Sequence, residues 1–341
     1  MVYLIDASVY VFRAYYSMPP DMTDRDGNPV HALFGFARFL GDLIERAKPQ
    51  YLAVAFDESL TSSFRNRIYP AYKANREPAP PDLKLQFERC RELCRHLRLA
   101  HFAHDEYEAD DIIGTLHARF RRQGFCTTVV TRDKDMAQLI REGDVYWNYA
   151  DNIRLRHGEI EEHFGVAPER YADYLALTGD AVDNIKGVPG VGPKTATALM
   201  KAFASLEELY DNLDEVAQLP IRGASKLPAK LLEHREAAFL ARRLTEIARD
   251  MPLECEREHL ACRGPDLPAL TEFFDRQNFG PMLRRQADRL VALAEKMMAP
   301  VARLVPRVIS ACARDLVEGV RTPVSLRWKH LRASASVSCA K

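Results

Sequence analysis

No stretch of the 341-residue chain approaches the ~18 consecutive apolar residues of a membrane-spanning helix. The N-terminus, MVYLIDAS, has no basic segment ahead of an apolar one. No secretory leader is therefore expected, and the cytoplasm is the expected compartment. Cysteine is scarce: seven residues, at 90, 94, 126, 255, 262, 312 and 339, with no Cys-x-x-Cys spacing. That pattern argues against a disulfide framework and against a zinc site. Cys90 and Cys94 share a helical apolar stripe with Leu83, Phe87, Leu93 and Leu97, and read as core thiols. No internal repeat is present, and a net charge is missing too, with 48 basic and 48 acidic residues.

The balance hides an asymmetry. From Arg284 onward twelve Lys/Arg face four Asp/Glu, which leaves 36 basic and 44 acidic residues in the preceding body. An acidic body ordinarily argues against nucleic acid. Where the acids lie decides whether that objection stands.

What is there is an alternation of short apolar runs and helical patterns. VYLI (2–5) ends at Asp6, YLAVAF (51–56) at Asp57, and TTVV (127–130) just before Asp133; VYWNY (145–149) is a further strand. Helical periodicity fills 31–47, 82–98 and 110–123, the last stopped by Gly124. Strands alternating with helices predict an α/β fold with a mostly parallel sheet covered on both faces. From about Pro168 the pattern is helical, punctuated by Gly and Pro at 187–193, 220–228 and 264–268. We therefore expect an α/β core over 1–170 with a basic segment near 60–82, and a smaller helical domain over 171–285. Residues 286–341 form a basic extension, expected to be partly disordered.

Ligands of parallel sheets bind beyond the carboxyl ends of the strands. Asp6, Asp57, Asp133 and Asp135 lie there; Glu108, Asp110 and Asp111 open a helix, and Asp180 and Asp183 open the helical half. Any one alone is most simply a helix cap or a surface charge. Together they repel, by about 4 kcal/mol for a pair 4 Å apart at an effective dielectric near 20. Hard divalent cations such as Mg²⁺ or Mn²⁺ are the natural remedy for an all-oxygen set. Nine acids exceed the needs of one ion, so two are expected, the usual device for in-line displacement at a phosphodiester. Without these nine the body is close to neutral, and the objection to nucleic acid falls.

Two further segments point to DNA. Gly187-Val-Pro-Gly190-Val-Gly192-Pro193-Lys194-Thr195 fails as a P-loop, because Pro193 stands where that motif needs lysine. It reads better as a hairpin between helices, with Pro193 opening the second helix and its N–H groups free for a phosphate. An ordinary helix–helix turn is the simpler alternative. Residues 64–76 interleave Arg65, Arg67, Lys73 and Arg76 with Phe64, Tyr69 and Tyr72, a mixture suited to single-stranded nucleic acid. A solvated basic helix is the alternative there.

The blocks DASVYVFRAYY, FRNRIYPAYKANR, YEADDIIGTL, TRDKDMAQL, LTGDAVDNIKGVPGVGPKTA and FFDRQNFGPML, in this order, resemble the 5′-nuclease family of flap endonucleases and the nuclease domain of bacterial DNA polymerase I. The resemblance runs from Tyr3 to about Leu283 and implies a PIN/resolvase-like core and a helix–three-turn–helix. It implies a first metal cluster of Asp6, Asp57, Glu108 and Asp110, and a second of Asp133, Asp135, Asp180 and Asp183, with Asp111 supporting both. Lys73 and Arg76 match a basic pair at the scissile phosphate; from the mixed basic and aromatic stretch itself, Arg65 and Tyr72 are expected to be DNA contacts beside them. Gly187, Gly190, Gly192, Lys194 and Thr195 match the duplex-binding hairpin, where the family implies a K⁺ ion. The implied activity is two-metal 5′→3′ exonuclease and 5′-flap endonuclease hydrolysis, leaving 5′-phosphate and 3′-hydroxyl ends. The implied partners are DNA with a free 5′ end, a flap or a single-strand/duplex junction, and a separate DNA polymerase; no membrane is expected. The rival readings are a non-catalytic DNA-end or junction-binding protein and a metal-dependent phosphatase. The second would need neither the hairpin nor the basic stretch.

Overall fold

A computed structural model of the chain describes residues 1–58 and 62–297. Six strands form the main sheet: β1 (Val2–Asp6), β2 (Tyr51–Ala55), β3 (Ala100–Phe102), β4 (Thr127–Val130), β5 (Val145–Asn148) and β6 (Ile153–Arg156). Their order is β3-β2-β1-β4-β5-β6, parallel except for β6, which runs antiparallel to β5. β1 is the switch point, since the chain leaves it first toward β2 and later returns on its other side as β4. Ligand crevices of open α/β sheets form at such points.

Burial on both faces explains why β1, β2 and β4 read as continuous apolar runs rather than alternating ones. Ile5, Leu52, Val54, Val130 and Trp147 face one layer, which includes helices His31–Ala47 and Pro81–His96. Cys90 and Cys94 are buried in that layer, as their stripe predicted. Leu4, Ala53, Ala55, Val129 and Tyr146 face the other layer, against Ile112, Leu116 and Phe120 of helix Ala109–Arg122. That layer continues without a break into helices Tyr171–Thr178, Pro193–Ala202 and Arg235–Thr245.

The return of the chain differs from expectation. Cys262 N–H donates to Gln50 O at 2.9 Å, and Ala261 bridges to Tyr51 at the start of β2. Leu270, Phe273, Phe274, Phe279 and Leu283 then pack into the first layer, against the α/β core rather than the helical domain expected to run to 285. Helical periodicity shows that a face is buried, but not what covers it. The helix over 281–297 continues this packing into the expected extension. There Gln286 Nε2 donates to Asp42 Oδ1 at 3.1 Å, and Arg289 Nε to Glu45 Oε1 at 2.5 Å. The expected disorder of the extension beyond 297, with Cys312 and Cys339, lies outside the described residues.

If 267–290 is integral to the core, Phe273→Ala should cost about 3–5 kcal/mol, as for other fully buried phenylalanines. Urea unfolding measures it, and a loss below about 1 kcal/mol would show this helix to be an appendage.

Candidate active site and nucleic-acid interface

The carboxyl edge of the sheet gathers the acids. Asp6 closes β1 and accepts a hydrogen bond from Thr131 Oγ1 at 2.8 Å. Asp57 follows β2 and accepts Ala109 N–H at 2.9 Å. Asp133 follows β4 and accepts Asp135 N–H at 2.9 Å, while Thr131 Oγ1 accepts Asp133 N–H. The Asp180–Asp183 turn sits in the loop of a two-strand ribbon, Gly179–Asp180 with Ile185–Lys186.

Burial and mutual repulsion act on these carboxyls together. Desolvation first, then the charges of Asp57 and Asp133, push Asp6 up to about 7. Desolvation with Asp133 and Asp180 pushes Asp135 up to about 8. Asp110 is raised by burial and then by Asp133, Asp6, Asp57 and Glu108. Asp133 is raised by burial and by Asp183 and Asp180. Asp133 thus lies within the field of both acid sets that the family resemblance separates.

Six acids, Asp6, Asp57, Asp110, Asp133, Asp135 and Asp180, form no ion pair among the described residues. Asp135 Oδ1 is buried and accepts no hydrogen bond among them. An all-oxygen set with an unused buried lone pair fits a hard cation. No three such side chains among the described residues surround a common point at ligand distance.

Three predicted site residues have different duties. Asp111 is fully buried, and Arg65 grips it bidentately, Nη1 to Oδ2 at 2.6 Å and Nη2 to Oδ1 at 2.8 Å. Asp111 also accepts Glu108 N–H at 3.1 Å and Ala248 N–H at 2.9 Å. With its oxygens so engaged, it supports the site as a structural anion rather than as a metal ligand. Arg65, 3% exposed, also donates Nε to Leu244 O and Nη2 to Glu246 O, so it cannot contact DNA. Burial alone would lower its pKa; the hydrogen bonds and charge of Asp111 outweigh that and hold it raised. Tyr72 is likewise 3% exposed, its hydroxyl 2.9 Å from Glu108 Oε2 and 3.2 Å from Asp183 Oδ2. It bridges the acid sets instead of stacking on a base.

Lys73 enters the site between them. Its Nζ lies 2.8 Å from Glu108 Oε1 and 3.8 Å from Asp183 Oδ2. Burial opposes its charge, but Glu108, Asp183 and Asp57 together raise its pKa and keep it an ammonium. Arg76 pairs with Asp183 from the more exposed side.

At the hairpin, Val188 and Val191 are buried while Pro189, Gly190, Gly192, Pro193 and Lys194 are exposed. Gly190 has φ +78°, and a Cβ there would meet Lys230 Nζ at 2.6 Å. Gly187 is needed for another reason: a Cβ would lie 2.3 Å from Gly179 N and 2.4 Å from Leu177 O. Packing of the ribbon therefore accounts for Gly187 without a ligand. Gly192, with open space around its Cβ position, caps helix Pro193–Ala202, and Thr195 is half-buried in that helix's first turn. Sequence reasoning missed Thr131, Gln138, Asn75 and Asn184. Each acts through a hydrogen bond that spans at least 106 positions, for which local spacing carries no signal.

A parallel sheet with carboxylates at its switch point and a helical domain beside them define a resolvase-like nuclease architecture. The 5′-3′ exonuclease N-terminal resolvase-like domain matches residues 1–165, and the C-terminal SAM fold of the same family matches 166–268. The chain belongs to the 5′-3′ exonuclease family. It is 41% identical over 277 residues to DNA polymerase I of Pseudomonas aeruginosa, covering 81% of this chain and 30% of that protein. It is 34% identical over 271 residues to the 5′-3′ exonuclease of Aquifex aeolicus, covering 80% of this chain and 90% of that one. The chain spans about a third of the length of the polymerase relatives. The T5 D15 protein co-crystallised with metal ions shares the fold, with a TM-score of 0.58 at 18% identity over 86% of this chain and 99% of that one. No helix among the described residues is long and apolar enough to cross a membrane.

Arg65→Met would leave the buried Asp111 carboxylate without its ion-pair partner, and should cost about 3–5 kcal/mol of stability, as for other broken buried pairs. Arg65→Met with Asp111→Leu should recover much of that loss. If the double variant is as unstable as the sum of the single ones, the pair is not coupled; denaturant unfolding of all four proteins decides.

Proposed function

We propose that this chain is a structure-dependent 5′→3′ exonuclease and 5′-flap endonuclease that hydrolyses DNA phosphodiesters with two divalent ions, Mg²⁺ or Mn²⁺. One observation carries the reading: carboxylates from β1, β2, β4 and the start of helix Ala109–Arg122 meet those of the Asp180–Asp183 turn at the sheet's switch point, with a buried lysine inserted between them. Asp6, Asp57, Glu108 and Asp110 would hold one ion, and Asp133, Asp135, Asp180 and Asp183 the other. Bound there, such ions neutralise charge on the phosphate and lower the pKa of a water.

The chain's own groups do the rest. Lys73 would turn from Glu108 and Asp183 to the non-bridging oxygens of the scissile phosphate, where negative charge builds. Arg76, on the open side of Asp183, would steady the same phosphate. The turn 189–194, exposed except at Val191, would offer helix N–H groups and Lys194 to a duplex backbone without reading bases. A K⁺ ion at this hairpin would rest on backbone carbonyls, since 187–195 holds no carboxylate. With duplex on the hairpin and a 5′ strand at the lysine, flaps and junctions with a free 5′ end are the preferred substrates. The names of the polymerase I relatives make a DNA polymerase the natural partner in replication and repair.

End-labelled flap, nicked and blunt DNA in Mg²⁺ test this reading. Chelation should abolish cleavage, Mg²⁺ or Mn²⁺ should restore it, and products should arise from 5′ ends. Activity in excess chelator, or degradation from 3′ ends, contradicts it.

Lys73→Ala should slow single-turnover cleavage roughly 10²–10³-fold, the range for loss of one preorganised donor. Affinity measured in Ca²⁺ should fall far less, because one phosphate contact among many is lost. A wild-type rate at saturating enzyme would make Lys73 a tether.

A further inference from the structure

The turn carrying Lys73 is fastened to the turn carrying Asp180 and Asp183 by hydrogen bonds in both directions. Lys73 N–H donates to Asp183 O at 3.0 Å. In the reverse direction, Asn184 Nδ2 donates to Ala71 O at 2.7 Å. Asn75 Nδ2 donates to Ala181 O at 3.1 Å, and Arg76 Nε to Val182 O at 3.5 Å. On its far side the same turn is held by Asn66 Nδ2, which donates to Tyr72 O at 3.0 Å. Residues 71–76 thus lie along 181–184, though more than 100 positions separate them in sequence.

Two backbones in this contact are left-handed: Lys73 at φ +54° and Asn184 at φ +58°. Asparagine tolerates that region; lysine has no local device for it. Such a geometry persists only where the surroundings over-determine it. Around Lys73 the surroundings are its own N–H on Asp183 O, and the two asparagine amides on the carbonyls of the two residues before it. Because Ala71 O can only accept, the amide nitrogen of Asn184 must face it.

We infer that Asn184 is a positioning residue for the nuclease reaction: its amide holds the Ala71–Lys73 turn in the left-handed form that sends the Lys73 ammonium between Glu108 and Asp183. Asn184 itself stands in the loop of the ribbon Gly179–Asp180/Ile185–Lys186, which leads directly into the hairpin at 187. The element proposed to grip duplex and the element that aims the lysine are therefore one unit. This inference rests on the function proposed above for Lys73.

Asn184→Gly isolates the amide, because glycine adopts φ +58° without strain. Two readouts are taken on the full chain. Hydrogen exchange of the peptide covering 69–76 should show the Lys73 amide exchanging about tenfold faster, the loss expected for one net hydrogen bond, with the sheet amides unchanged. Single-turnover flap cleavage should slow about tenfold for the same reason. In a Lys73→Ala background, Asn184→Gly should slow cleavage no further, since there is no ammonium left to aim. Unchanged exchange at Lys73 overturns the inference. So does faster exchange with cleavage at the wild-type rate, or an equal loss in the Lys73→Ala background, since either makes Asn184 a general support. If the wild-type chain fails to cleave flap DNA, the proposed function falls, and the exchange measurement alone decides whether Asn184 holds the turn.

Discussion

Arg65 and Asp111 meet inside the protein, where neither charge would have water around it. An unpaired ion in such a place costs several kcal/mol, and only good geometry with further hydrogen bonds compensates for it. Here the guanidinium also binds the carbonyls of Leu244 and Glu246, and the carboxylate binds the N–H groups of Glu108 and Ala248. The segment 244–248 is held by this pair and again by Gln138, whose amide donates to Thr245 O and accepts from Ile247 N–H. Gln138 lies on the short helix that begins after Asp133 and carries Asp135. One link in the chain therefore leans on the groups that set Glu108 on one side and Asp135 on the other. Relative placement of the two acid sets depends on it.

That placement works against electrostatics. Six carboxylates face each other without an ion pair among the described residues, and the fold tolerates them by partial measures. Hydrogen-bond donors reach some of them: Thr131 to Asp6, Ala109 N–H to Asp57, Asp135 N–H to Asp133. The start of helix Ala109–Arg122 offers its positive dipole end to Glu108 and Asp110. None of these removes the repulsion: burial first, and then the neighbouring carboxylates, raise the pKa of Asp6 and Asp135. Strain of this kind belongs to sites built for a charged ligand rather than to a scaffold optimised for itself.

Most of the frame was legible in the sequence because it is local. The strand at 127–130 and the helix over 31–47 lie where their periodicity put them, and three strands end at or just before an acid, as read. β3 and β6, at three and four residues with polar members, gave no such signal. Harder still was the direction in which a charged side chain points. In FRNRIYPAYKANR the alternation of basic and aromatic residues suggested one nucleic-acid surface. Burial sorts it instead: Arg65 and Tyr72 turn inward to carboxylates, while Arg67 stays exposed and pairs with Glu106. A buried arginine and a surface arginine look alike in a sequence, because the partner that decides between them, Asp111, is 46 residues away. The same limit hid the true place of 267–290.

The pairing of Lys73 has a consequence for how the site can change state. Its two carboxylate partners come one from each acid set, Glu108 and Asp183, so the lysine is held by the same negative field that would draw in cations. Positive charge added anywhere between the sets weakens both contacts together, by the ordinary superposition of charges. A phosphate arriving at that moment offers a new partner to an ammonium already inside the site. Lys73 therefore needs no long excursion from solvent. In the proposed reaction its backbone, fixed in the left-handed turn, would stay still while the side chain exchanged one anion for another, and so short an exchange would keep the reorganisation on reaction small.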